Sequence, residues 1–240
     1  MQNIDAVILV GGFGTRIRHI TGSVPKPLAR VCGEPFLHWL FLSLKKHNIR
    51  KVFLLAHYAA DLIEEYILKI SDENFSITCV TELSPSGTGG SVISFVRQVK
   101  KLSDPFLLLN GDSLLRDFDL NSAMDKMSAG YDGLIFGVEM NDSSRFGTLE
   151  FNEDMLLTSF SEKIAQSGVI NAGVYLFRPE LFLEGSYDHI PSSLEKDIIP
   201  SLIDNEKKFY VAIERKPFID IGTEVSLNQA GEFIKKHFFS

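Results

Sequence analysis

No apolar run in this chain approaches the ~20 residues needed to span a bilayer. Stretches 7–10, 106–109 and 174–177 are only strand-sized. Cysteine is scarce: Cys32 and Cys79 are the only two, without CxxC spacing, and the first residues, Met1 to Asp5, lack the basic stretch that opens a secretory signal. A cytoplasmic protein is expected. The six histidines show no HExxH or other ligand spacing, which disfavours a zinc site. No Ser-His-Asp or Cys-His arrangement can be argued either. Excess positive charge is also absent, with 24 Lys and Arg against 31 Asp and Glu and a net charge of -7. Broad attraction to nucleic acid or to an anionic membrane is thereby disfavoured, although a local basic loop can still hold phosphates. A small-molecule partner is expected.

At 45% hydrophobic and 23% charged residues the chain can bury a sizeable core. Without repeats, low-complexity tracts or an evident linker, residues 1–240 are expected to form a single domain, because one core can grow to roughly 250 residues. Apolar runs at 6–10, 52–56, 77–80, 106–109, 133–138, 174–177 and 209–213 read as strands. Segments 36–47, 60–70, 89–102 and 120–129 carry helical spacing between them. Such alternation predicts an α/β fold: a Rossmann-like mixed, mainly parallel sheet with helices on both faces. The short pieces at 147–151, 156–161 and 174–177, with no full helix between them, predict a small antiparallel insertion on the substrate side. A closing helix is expected over 224–236 with Thr223 as N-cap, while Trp39 and the phenylalanines of 36–41 fit a helix core face.

In open α/β sheets ligands sit beyond the carboxyl ends of the strands, so the loops after the apolar runs are the places to look. The first run is followed at once by Gly11-Gly12-Phe13-Gly14-Thr15-Arg16, and Pro25-Lys26-Pro27 comes nine residues after Arg16. Three glycines let backbone N–H groups approach an anion, and Arg16 and Lys26 supply positive charge, both expected to be exposed at the loop mouth. The spacing is not that of a Walker A loop, and the last glycine of GxGxxG is missing, which disfavours a redox dinucleotide enzyme. Glycines alone would be equally consistent with an ordinary turn.

The whole string resembles the opening signature G-G-x-G-T-R-L followed by P-K-P of the sugar-1-phosphate nucleotidylyltransferases, with Ile17 where leucine is usual. That resemblance implies that Gly11, Gly12, Gly14, Thr15 and Arg16 hold a nucleoside triphosphate and that Lys26 binds phosphate at the reacting centre. It continues in order along the chain. Pro85-Ser86-Gly87-Thr88-Gly89-Gly90 is similar to the family's P-L-G-T-A/G-G segment, which implies that Gly87 and Thr88 face the base and ribose; Thr88 also suits a helix N-cap.

Asn110-Gly111-Asp112 puts a carboxylate just past a buried strand, where a hard cation would find an oxygen ligand. Alone, Asp112 is equally apt to form an Asx-turn. The family's N-G-D motif implies a metal ligand, and Phe218-Ile219-Asp220-Ile221-Gly222-Thr223 resembles the segment completing the site through Asp220, a residue that could instead cap the last helix. Two such carboxylates suit Mg²⁺. Ser161-Glu162-Lys163 resembles the family's Glu-Lys pair, and Asn171-Ala172-Gly173-Val174-Tyr175 its N-A-G-x-Y segment. By that likeness Glu162, Lys163, Asn171 and Gly147 hold the sugar 1-phosphate.

The activity so implied is transfer of a nucleotide from a triphosphate to a sugar 1-phosphate with loss of pyrophosphate. Segments 10–12, 87–90, 193–197 and 218–222 resemble the short branch that guanylylates D-glycero-D-manno-heptose 1-phosphate for surface polysaccharides. Mannose 1-phosphate guanylylation, uridylyl or cytidylyl transfer, and a homodimer stay open. A silent nucleotide-sugar sensor is disfavoured because Arg16, Lys26, Asp112 and Asp220 are all present. Glu82 points to GTP: a carboxylate accepts hydrogen bonds, and guanine offers two adjacent donors on one edge where uracil and thymine offer one flanked by carbonyls. The alternative is a solvated Glu82 with backbone groups reading the base.

Overall fold

The computed structural model describes residues 4–71, 73–161, 167–183 and 191–239; of Ser161 only the backbone is described. The strands are β1 (Asp5–Leu9), β2 (Arg30–Val31), β3 (Glu34–Pro35), β4 (Lys51–Ala56), β5 (Ser76–Thr81), β6 (Phe106–Asn110), β7 (Ser113–Leu115), β8 (Gly133–Met140), β9 (Thr148–Phe151), β10 (Leu157–Ser161), β11 (Gly168–Phe177), β12 (Phe209–Glu214) and β13 (Phe218–Asp220). The helices are α1 (Arg18–Thr21), α2 (Phe36–Lys46), α3 (Ala60–Leu68), α4 (Gly87–Gln98), α5 (Leu120–Ser128), α6 (Glu180–Leu183), α7 (Ile199–Asp204) and α8 (Glu224–Phe238). Among the described residues no helix is long and apolar enough to cross a membrane. The chain divides into two compact units, one of residues 1–84, 109–116 and 217–240, the other of residues 85–108 and 117–216.

In the first unit β1 pairs in parallel with β4, and β4 with β5, in register from Asp5↔Lys51 and Lys51↔Ser76. Consecutive residues of β1 and β4, Ala6, Val7, Ile8 and Val52 to Leu55, are all buried. Side chains of a strand alternate between faces, so the sheet is covered on both, and this is why these strands read as unbroken apolar runs. Helix α2 lays Leu37, Leu40, Phe41 and Leu44 on one buried stripe. Asn48, with φ 59, takes the left-handed turn just past its end. Trp39 stands edge-on to Phe238 at 5.2 Å between ring centres and donates from Nε1 to the Val31 carbonyl at 3.1 Å, tying α8 and the β2–β3 hairpin to α2. Thr223 caps α8 as expected: its Oγ1 accepts from Ser226 N, and Ser226 Oγ accepts from Thr223 N, both at 3.2 Å.

In the second unit β8 pairs in parallel with β12 and antiparallel with β11, and β9 pairs antiparallel with β10 and β11. The expected antiparallel piece is therefore present. Its core is aromatic: Phe177 lies within 6.3 Å, ring centre to ring centre, of Phe106, Tyr175, Phe182 and Phe209. Strand β11 is longer than the run at 174–177, because it begins at Gly168 and breaks register between Asn171 and Tyr175. Gly173 sits in that irregularity with φ 69, and a bulge of this kind re-aims side chains.

Candidate active site

The first group of candidate residues lies in the first unit, at the carboxyl ends of parallel strands. Val10 is held to β4 by its N–H bond to the Leu55 carbonyl at 3.0 Å, and the glycine loop begins with the next residue. Gly14 is left-handed, with φ 62, and a Cβ there would sit 3.0 Å from Lys26 Cγ. Glycine at 14 is thus demanded twice, by backbone and by the packing of Lys26. Gly12 is different: it is exposed, and nothing lies within 4 Å of where its Cβ would be. The fold leaves open space there, as an anion-holding backbone requires. Thr15 and Arg16 follow, both exposed, in a single 3-10 turn (Thr15–Ile17) whose Ile17 anchors it in the core.

Lys26 departs from the expectation. Its side chain is only 11% exposed, and its Nζ donates to Asp112 Oδ2 at 3.1 Å. Pro25 and Pro27 explain this, because they bracket the lysine and start a short turn that swings it under the glycine loop rather than into solvent. Arg16 is the exposed cation of the pair.

The segments carrying Asp112 and Asp220 are joined by a short two-stranded ladder of three residue pairs. Strand β13 pairs antiparallel with β7 in the register Asp220↔Ser113, and Ile221 N donates to the Asp112 carbonyl at 2.9 Å. The backbone of Asp220, at the end of β13, therefore lies beside that of Asp112, the residue before β7. Asp220 does not cap α8, a role filled by Thr223; its Oδ2 accepts from Gly222 N at 2.8 Å and from Ser226 Oγ at 3.3 Å, which fixes the carboxylate plane. No group of three His, Cys, Asp or Glu gathers among the described residues. A donor set of two carboxylates, all oxygen, fits a hard cation that keeps several waters and takes further ligands from phosphate. Glu82, after β5, is half-buried; its N–H bonds the Ala56 carbonyl at 2.9 Å and its carbonyl receives His57 Nδ1 at 3.1 Å.

The second group lies in the second unit. Thr88 is not an N-cap: α4 starts at Gly87, Ser86 occupies the cap position without a side-chain capping bond, and Thr88 Oγ1 instead accepts from Leu194 N at 2.8 Å and donates to Glu195 Oε2 at 3.4 Å. Glu195 also accepts from Tyr175 Oη at 3.0 Å and from Ser193 Oγ at 3.1 Å. Asn171 donates to Tyr175 Oη at 2.7 Å and accepts from Gly173 N at 2.9 Å, which leaves one amide hydrogen and one lone pair to offer. Gly147 is exposed with nothing within 4 Å of a would-be Cβ, so packing does not demand glycine there. Glu162 and Lys163 lie outside the described residues. Tyr175 and Glu195 were not among the expected site residues; their signal was present in the N-A-G-x-Y and 193–197 segments, but only the fold brings the two together.

Gly87 and Gly89 have a reason in packing. A Cβ at Gly87, where φ is 75, would meet the Ser192 carbonyl at 2.3 Å, and one at Gly89 would meet Ile198 Cγ1 at 2.5 Å. Gly87→Ala should cost about 2–4 kcal/mol from left-handed strain plus overpacking, whereas Gly12→Ala should be close to neutral for folding. Urea unfolding of the two variants checks this; equal stability would contradict the packing assignment.

Compared with known proteins, residues 5–237 match the profile of the Nucleotidyl transferase family. A D-glycero-alpha-D-manno-heptose 1-phosphate guanylyltransferase of Campylobacter jejuni is 36% identical over 182 residues, 75% of this chain and 78% of that protein. A protein of the same description from Aneurinibacillus thermoaerophilus is 33% identical over 225 residues, 91% of this chain and 93% of the other. Among solved structures, HddC from Yersinia pseudotuberculosis complexed with GMP-PN is similar at a TM-score of 0.83 and 30% identity, over 95% of this chain and 98% of that one.

Proposed function

The chain belongs to the nucleotidyl transferase family as a sugar-1-phosphate nucleotidyltransferase, and we propose that its donor is GTP and its acceptor D-glycero-alpha-D-manno-heptose 1-phosphate. The observation that carries the chemistry is the Lys26–Asp112 pair, 3.1 Å apart and mostly sheltered from water, packed against the glycine loop through Gly14. The two relatives named for this guanylyl transfer, and the GMP-PN complex of HddC, support the choice of substrates. Residues 1–240 act as one catalytic domain in the cytoplasm.

An oxygen of the sugar 1-phosphate attacks the α-phosphorus of GTP. That P–O bond forms as the bond from the α-phosphorus to the bridging β-phosphate oxygen breaks, and pyrophosphate carries the electron pair away. The nucleophile is already anionic, so no general base is required; the task is to align two anions that repel each other and to offset the charge that builds at the α-phosphate. Backbone N–H groups of 11–14 and the Arg16 guanidinium take the triphosphate, and Lys26 meets the α-phosphate. Gly87 and Thr88 serve the base and ribose. Glu162, Lys163, Asn171 and the Gly147 backbone hold the sugar phosphate. Asp112 and Asp220 would hold Mg²⁺, which supplies charge neutralisation at the phosphates when bound.

Glu82 is assigned to guanine N1–H and the exocyclic amine. Hydrogen bonds to a charged group contribute about 1.5–3 kcal/mol each, enough for clear discrimination. With heptose 1-phosphate fixed, GTP should outperform UTP, dTTP, CTP and ATP in pyrophosphate release, and Glu82→Gln should shrink that preference by roughly tenfold or more. A preference for another triphosphate, or one that Glu82→Gln leaves intact, would defeat the guanine assignment.

A further inference from the structure

Strand order β1-β4-β5 places the residue after β4, His57, between the glycine loop that follows β1 and the segment with Glu82 that follows β5. Its contacts reach both. A Cβ on Gly11 would lie 3.2 Å from His57 N and 3.3 Å from His57 Cβ, so the loop runs directly against this residue. Phe13, the variable position of the glycine string, is 47% exposed yet meets the His57 ring edge-on, with centres 5.7 Å apart and planes at 84°. On the other side His57 Nδ1 lies 3.1 Å from the Glu82 carbonyl oxygen. A carbonyl only accepts, so Nδ1 carries the proton and donates.

We infer that His57 is a positioning residue for the nucleotide: its backbone N and Cβ pack against Gly11, while its imidazole meets Phe13 of the phosphate-holding loop and donates to the Glu82 carbonyl of the base-reading segment. The inference rests on the nucleotide-site reading above and adds to it a residue that no motif in the chain announces. Glu82 is also tied to β4 by its own N–H on the Ala56 carbonyl; the His57 ring adds a link between that segment and Phe13 of the loop, and order built in before the ligand arrives does not weaken binding.

The test is equilibrium binding of GTP in the presence of Mg²⁺ to the full chain. His57→Leu keeps apolar contact with Phe13 but cannot donate, whereas His57→Asn keeps an N–H near the Nδ1 position. His57→Leu should weaken GTP binding about tenfold and reduce the GTP-to-UTP affinity ratio, and His57→Asn should recover most of both losses. His57→Ala replaces the leucine variant if circular dichroism shows that the latter does not fold. A purely structural role would lower the melting temperature without moving the GTP-to-UTP ratio, and asparagine would not restore it. Wild-type protein that binds no nucleoside triphosphate would overturn the nucleotide reading itself. Wild-type binding that His57→Leu leaves unchanged, or that His57→Asn weakens as much as His57→Leu, would overturn the role of His57 alone.

Discussion

Lys26→Ala should lower turnover on the order of a hundredfold, about 3 kcal/mol of lost stabilisation where charge develops, and Arg16→Ala should lower it comparably. The two variants should differ in stability. Arg16 is exposed and makes no bond or ion pair among the described residues, so its removal should shift the melting temperature by no more than roughly 1–2 °C. Lys26 is sheltered and is the partner of Asp112, whose side chain is 34% exposed; removing it strands a carboxylate that water can only partly solvate, and the melting temperature should fall further. Steady-state rates with thermal unfolding of the same preparations separate these effects. Near-wild-type turnover in either variant would remove the proposed site.

The second large effect concerns the carboxylates. Asp112→Asn and Asp220→Asn each replace one of the two proposed Mg²⁺-holding carboxylates by a neutral amide of nearly the same shape, so each should raise the Mg²⁺ concentration for half-maximal activity by on the order of tenfold. The neutral amide oxygen at 220 can still accept from Gly222 N and Ser226 Oγ, so that variant should fold normally. Asp112→Asn also weakens the tie to Lys26, so its maximal rate should drop as well as its metal response. Unchanged Mg²⁺ titrations in both variants, or a requirement for zinc, would refute the assignment.

The strands at 6–10 and 52–56 were legible because a parallel sheet buried on both faces imposes an unbroken apolar run, and Thr223 was legible because a capping box is a local arrangement. Features made by residues distant in sequence were not. The partner of Lys26 is Asp112, 86 residues away, and Thr88 is drawn from a capping role by Leu194 and Glu195, more than 100 positions on. The irregularity at 171–175 was hidden because a bulge breaks the period-2 pattern by which a strand is recognised, so that β11 was read as starting at Val174. Glycines mislead in a related way. Gly12 and Gly87 both belong to recognised motifs, yet one stands in open space and the other fills a gap against Ser192, a distinction that spacing cannot carry.

The most direct test is product analysis after incubating the protein with GTP, D-glycero-alpha-D-manno-heptose 1-phosphate and Mg²⁺. GDP-heptose and pyrophosphate should form in equal amounts, with neither formed when GTP or the sugar phosphate is left out. Release of inorganic phosphate in place of pyrophosphate, or pyrophosphate formed without the sugar phosphate, would contradict the proposed transfer.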